Sequence, residues 1–184
     1  MHIPFILYVI LAFVAATTSI VTALSSHDQL GEPRHGNALR AAALFSLAAG
    51  ILTLGGGWIG QWLLGMMKED ARWIADIFWF VVGLKMLLSS RKMPAQTYAL
   101  DMSQLTQVVM VALANGLNAM LMAIGLALAG EMVQPFTIYV SLFVLILSWI
   151  GFFIPGIWPI AGKQARWLFP VAGILLILIT LIRF

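Results

Sequence analysis

The chain contains no cysteine, which excludes disulfides, thiolate metal sites and thiol–disulfide relays together. Charge is scarce as well. Only 9% of the 184 residues are Asp, Glu, Lys or Arg, where soluble domains carry about 25%. Histidine is confined to His2, His27 and His35, all outside the long apolar stretches. An intramembrane serine protease therefore lacks its buried histidine, and haem lacks axial ligands at depth. Asp76 is the one carboxylate inside an apolar stretch, so no aspartyl dyad forms. No Gly-x-x-x-x-Gly-Lys-Ser/Thr loop is present, and ATP is not the direct energy source. These absences argue against an enzyme and imply no cofactor.

What remains is overwhelmingly apolar. Hydrophobic residues make up 62% of the chain, and the mean hydropathy is +1.01. A soluble domain of this size could not hide that much apolar surface. At about 20 apolar residues per crossing, the length accommodates about six short-looped spans. The formal net charge of +3 reads as basic cytoplasmic loops, not as affinity for nucleic acid.

The spans are read at Ile3–Leu24, within Ala41–Met67, at Trp73–Leu88, between Met102 and Gly130, from Pro135 to about Pro155, and at Trp167–Ile182. The first is expected to stay as a permanent helix. No Lys or Arg precedes it, and its apolar run exceeds the roughly 7–15 residues of a signal core. Six spans put both termini and the 2–3 and 4–5 loops on one side, with Lys68, Arg72 and Arg183. The opposite side has Arg34, Arg40, Lys85, Arg91, Lys92, Lys163 and Arg166, seven of the ten basic residues. The positive-inside rule places those seven in the cytoplasm and both termini outside.

The halves echo each other. Trp58-Ile59-Gly60 recurs as Trp149-Ile150-Gly151, and Ala71-Arg72-Trp73-Ile74 as Ala165-Arg166-Trp167-Leu168. Spans one and four share a small-residue ladder, Ala15, Ser19 and Ala23 against Asn115, Ala119 and Ala123. Three helices is an odd number, so the second copy inserts upside down, as in secondary transporters with a midplane site. The predicted fold is an all-α integral membrane protein of two inverted three-helix repeats. The expected bounds are 1–92 and 103–184, joined by a cytoplasmic linker over 93–102.

Polar residues inside lipid-spanning stretches are the candidates for function. Span one offers Thr17, Thr18 and Thr22; span four offers Asn115 and Asn118, which share one helix face. Spans one and four are expected to bring these groups face to face. Asp76 lies about one turn, ~6 Å, inside the outer edge, and pairing with Arg72 accounts for it more simply than a cation site. Lys85 is read likewise, as a long side chain reaching the nearer interface. His27, Asp28, Glu32 and His35 form a polar loop that matches no defined metal-site spacing.

Leu117-Asn118-Ala119-Met120 with Ile124-Gly125-Leu126-Ala127-Leu128 resembles the fourth-helix signature of the MntP manganese efflux pumps, which reads Leu-Asp-Ala-Met there. Ile10-Leu11-Ala12-Phe13 is similar to the start of that family's first-helix motif, whose aspartate falls at Thr18. Ala38-Leu39-Arg40, Gly83-x-Lys85-Met86 and Gly162-Lys163 fit the same pattern. The resemblance implies the inverted-repeat scaffold of the LysE-type exporters, a bacterial inner membrane and export of a divalent cation, Mn²⁺ first. It carries the metal positions onto Thr18 and Asn118, with Asp76 an outlying candidate and Thr22 and Asn115 completing the substrate site. Both family aspartates are neutral here, and an acidic position of span two falls near Ala49. A neutral lining suits a small neutral or zwitterionic solute as an alternative cargo, and a non-transporting membrane subunit is the rival from another class. The expected partners are the lipid bilayer and the transported species, with a second copy in a homo-oligomer left open.

Overall fold

The computed structural model describes residues 5–26, 35–67, 71–92, 104–157 and 167–183. The expected linker at 93–102 and the loop residues His27, Asp28 and Glu32 lie outside them. Among the described residues there are six helices: α1 (Phe5–Ser26), α2 (His35–Met67), α3 (Ala71–Lys92), α4 (Leu105–Leu128), α5 (Val133–Ile157) and α6 (Leu168–Arg183). Four of them, α1, α2, α4 and α5, are long and apolar enough to cross a membrane; α6 is a shorter apolar helix. The bundle is that of a multi-pass membrane protein, because lipid tolerates only segments whose backbone hydrogen bonds close internally.

Helix ends depart from the hydropathy limits. α2 starts at His35, so part of the polar stretch before Ala41 is helical, and α2 reaches 33 residues, about 50 Å at 1.5 Å per residue. α5 starts at Val133 and carries Pro135 within its first turn, where the missing N–H has no helical acceptor to lose. The turn between α4 and α5 is short because Gly130 takes φ +78°, a left-handed conformation that glycine adopts without steric cost. The Ala129, Gly130 and Glu131 N–H groups then donate back to Gly125, Ala127 and Leu126 carbonyls, satisfying the orphan acceptors of the helix end.

The most extensive packing is of α2 on α4 and of α1 on α5, with α2 also against α5 and α3 against α6. Glycines make these approaches close. A Cβ on Gly60 would fall 2.6 Å from Ala127 Cβ, and one on Gly151 would fall 2.9 Å from Ala23 Cβ. Gly83 of α3 and Gly173 of α6 face one another, each within 3.0 Å of the other's carbonyl oxygen by the same measure. Without a hydrophobic drive between helices in lipid, this close backbone contact is the main source of cohesion.

The exterior is what a bilayer requires. Large apolar side chains such as Leu47, Ile51, Leu54, Ile138 and Leu142 face outward. Exposed tryptophans gather toward both ends: Trp58, Trp62 and Trp73 near the α2–α3 connection, Trp149 and Trp167 near the α5–α6 connection. Indole rings favour the headgroup level of a bilayer, which suits both groups. At the other end of α1, the Tyr8 hydroxyl donates to Glu131 Oε2 (3.4 Å) and Phe5 meets Tyr139 edge-on. The start of α1 and the α4–α5 turn are therefore on the same face.

Candidate functional site: a polar seam between α1, α3 and α4

α1 meets α4 through hydroxyl and amide groups. Thr18 Oγ1 lies 3.3 Å from the Ala15 carbonyl and 3.4 Å from the Asn115 carbonyl. Thr22 Oγ1 donates to the Thr18 carbonyl at 2.8 Å and accepts from Asn115 Nδ2 at 3.1 Å. Asn115 Oδ1 is 3.3 Å from the same hydroxyl. A hydroxyl has one proton, and the shorter contact to Thr18 takes it. Asn115 Oδ1 is thereby left as an acceptor turned toward the seam.

Asn118 turns elsewhere. Although it shares a face with Asn115, a three-residue step also rotates it about 60° around the helix, and its amide meets α3. Lys85 Nζ donates to Asn118 Oδ1 at 2.8 Å, and Asn118 is only 5% exposed. The expected face-to-face arrangement thus holds for Thr18, Thr22 and Asn115, while Asn118 addresses a different helix. Thr17 takes no part, because its hydroxyl donates to Phe13 one turn back (3.1 Å); that is the ordinary fate of a threonine in a membrane helix. Ala23 of the small-residue ladder packs on Gly151 of α5.

Lys85 is the residue that sequence reasoning missed. Proximity to the end of α3 suggested that its ammonium reaches the interface. Instead the residue is exposed overall while its ammonium is directed to α4. The signal available was the lysine itself, within a segment that includes Gly83-x-Lys85-Met86. The rotation of α3 that aims it comes from Trp79, which is completely buried, donates from Nε1 to the Met122 carbonyl (3.2 Å) and packs its ring on Gly125.

Asp76 is not gathered into the seam. It lies nine residues before Lys85 on α3, about 14 Å along the axis, and is partly buried. Among the described residues no cluster of three His, Asp, Glu or Cys side chains could hold a metal ion. The groups offered are neutral oxygens, Asn115 Oδ1, the Asn115 carbonyl, Thr18 Oγ1 and Asn118 Oδ1, with one ammonium competing for the last. Oxygen donors suit hard cations, but without a carboxylate the desolvation of a dication is only partly offset. A bound cation here would keep some of its water.

An apolar helical bundle with a buried seam of amides and hydroxyls defines a multi-pass membrane protein with a polar site between its helices. The sequence comparisons give the family. The chain belongs to the MntP family, described as "Putative manganese efflux pump", whose profile matches residues 32–182. It is 27% identical over 170 residues to the "Putative manganese efflux pump MntP" of Yersinia enterocolitica, covering 91% of this chain and 88% of that protein. The protein of the same name from Yersinia pestis is 28% identical over 171 residues, covering 92% and 89%. No solved structure matches this chain.

Proposed function

We propose that the protein is a secondary exporter of a divalent cation, with Mn²⁺ the first candidate, in a bacterial inner membrane. The observation that carries this reading is the seam: uncharged oxygens of Thr18 and Asn115 meet between α1 and α4, and that of Asn118 lies on the α3 side of α4, within a largely apolar bundle. Intramembrane polar groups of this kind mark pathways, and the relatives are named for manganese efflux. Thr18 and Asn118 are the metal positions, Thr22 orients Asn115, and Asp76 stays an outlying cation position on α3. The cargo crosses partly hydrated.

Two inverted repeats, 1–92 and 103–184, are supported by how the helices pair. Exchanging α1 with α4, α2 with α5 and α3 with α6 maps the α2–α4 contact onto α5–α1 and leaves α2–α5 and α3–α6 in place. Gly60 against Ile124 and Ala127 is then the counterpart of Gly151 against Ile20 and Ala23. Alternating access would rock one repeat against the other about the seam.

Orientation has its own test. With seven basic residues assigned to one side and three to the other, both termini are expected in the periplasm. Green fluorescent protein fused to the C-terminus should stay dark, and bright cells would reverse the topology.

Flux into vesicles tests the cargo. Purified protein in liposomes should move Mn²⁺ down an imposed gradient, and Asn115→Ala, which removes a seam acceptor and the amide that donates to Thr22, should lower that flux about tenfold or more. One observation favours a second cargo: the Lys85 ammonium beside neutral amides would pair with the carboxylate of a small zwitterionic solute. Vesicles that are silent to Mn²⁺ yet exchange such solutes would replace the metal reading with that one.

A further inference from the structure

We infer that Lys85 is a tethered competitor for the cargo, an internal cation that occupies Asn118 whenever no metal does and that discriminates dications from monovalent ions. The inference rests on the export reading above and deepens it. Lys85 Nζ is 2.8 Å from Asn118 Oδ1, the distance of a charge-assisted hydrogen bond. An ammonium donates and never accepts, so it takes up the oxygen lone pair that a metal would need. A metal ion and the ammonium on one amide oxygen would also repel each other strongly in a medium of low dielectric. Occupancy is therefore exclusive.

The exchange is confined to the side chain. α3 is pinned before Lys85 by Trp79 on Met122 and Gly125, and again by Gly83 against Gly173 and Ile177 of α6. The helix cannot slide to withdraw the charge. The lysine arm can, because Lys85 is an exposed residue and its flexible four-carbon stem lets the ammonium swing out to the interface. Besides Lys85, α3 carries Asp76 about 14 Å away along the helix, with Arg72, Arg91 and Lys92 toward its two ends, and α4 carries no charged residue over Leu105–Leu128.

Two consequences follow from exclusivity. The empty carrier keeps Asn118 occupied by its own ammonium, so it returns without carrying metal back. A monovalent ion, offering the same charge as the ammonium and no tether, loses the competition, whereas a dication wins it.

The test is Mn²⁺ binding and export by the full chain in liposomes, comparing wild type with Lys85→Met and Lys85→Arg. Lys85→Met should bind Mn²⁺ at least tenfold more tightly and export it more slowly, since release loses its displacing group. Na⁺ or K⁺ at about 100 mM should inhibit the methionine variant and leave the wild type unaffected. Lys85→Arg, which keeps the charge, should stay near wild type in both respects. If wild type binds Mn²⁺ and Lys85→Met binds it equally or less tightly, the competitor role is overturned while the export reading stands. If neither binds Mn²⁺, the metal reading fails and this inference with it. Should the methionine variant not fold, as judged by monodispersity and thermal melting, Lys85→Gln is read instead, because it retains a donor to Asn118 without the charge; the same outcomes apply.

Discussion

Thr18→Asp with Asn118→Asp is expected to tighten Mn²⁺ binding a hundredfold or more, a change of about 3 kcal/mol. The two substitutions act unequally. An aspartate at 118 would take the Lys85 ammonium, now 2.8 Å from the amide oxygen, as an ion-pair partner, so its charge is compensated in the empty protein. An aspartate at 18 would face the Ala15 and Asn115 carbonyls, at 3.3 and 3.4 Å from the present hydroxyl, and oxygen would oppose oxygen until a cation arrived between them. The single Thr18→Asp variant should therefore be the less stable one and the one most stabilised by metal, since a ligand that binds only the folded state raises its melting temperature. Carboxylates ligate only when deprotonated, so binding by the double variant should weaken on acidification. Isothermal titration with Mn²⁺ at two pH values reads both effects. A folded double variant that gives no heat at either pH would favour the zwitterionic-solute reading.

Gly56→Ala is expected to destabilise the bundle by about 3 kcal/mol, with Gly56→Leu failing to fold. A Cβ at Gly56 would collide with the backbone of Met120, whose carbonyl oxygen it meets first and whose carbonyl carbon and Cα lie at 3.1 Å. Backbone cannot rotate away as a flexible side chain can, so α2 would have to leave α4, its main partner. The neighbouring Gly55 supplies the control. Nothing lies within 4 Å of a Cβ there, and Gly55→Ala should be neutral or gain up to about 1 kcal/mol from helix propensity. Thermal melting in detergent compares the pair. Equal behaviour of Gly55→Ala and Gly56→Ala would mean that α2 does not approach α4 in this register.

The helices were readable because lipid imposes a simple demand, an uninterrupted apolar stretch long enough to cross. Their ends were less so. Between Ala41 and His35 hydropathy drops while the helix continues, because hydrogen bonding outside the apolar layer is limited by local backbone preference, and water neither requires nor forbids it. Thr18, Thr22, Asn115 and Asn118 stood out as polar groups in a medium without water. Their partners did not, since sharing a face on α4 leaves open which neighbour each amide meets. A rotation of about 60° sends Asn115 to α1 and Asn118 to α3.

Composition and order of residues alone determined that this chain is a membrane bundle without thiol chemistry, and that its candidate site residues Thr18, Thr22, Asn115 and Asn118 sit on its first and fourth helices. These follow from quantities that do not depend on how helices pack: apolar length, missing residue types and the cost of an amide in lipid. Tertiary structure decided where the Lys85 ammonium goes. In Phe78-Trp79-Phe80 the sequence does not say which ring faces inward, yet Trp79 is completely buried while Phe80 is exposed. That difference arises because Gly125 leaves a notch only one indole can fill. Seating Trp79 there fixes the rotation of α3, and the rotation of α3 is what puts Lys85 on Asn118.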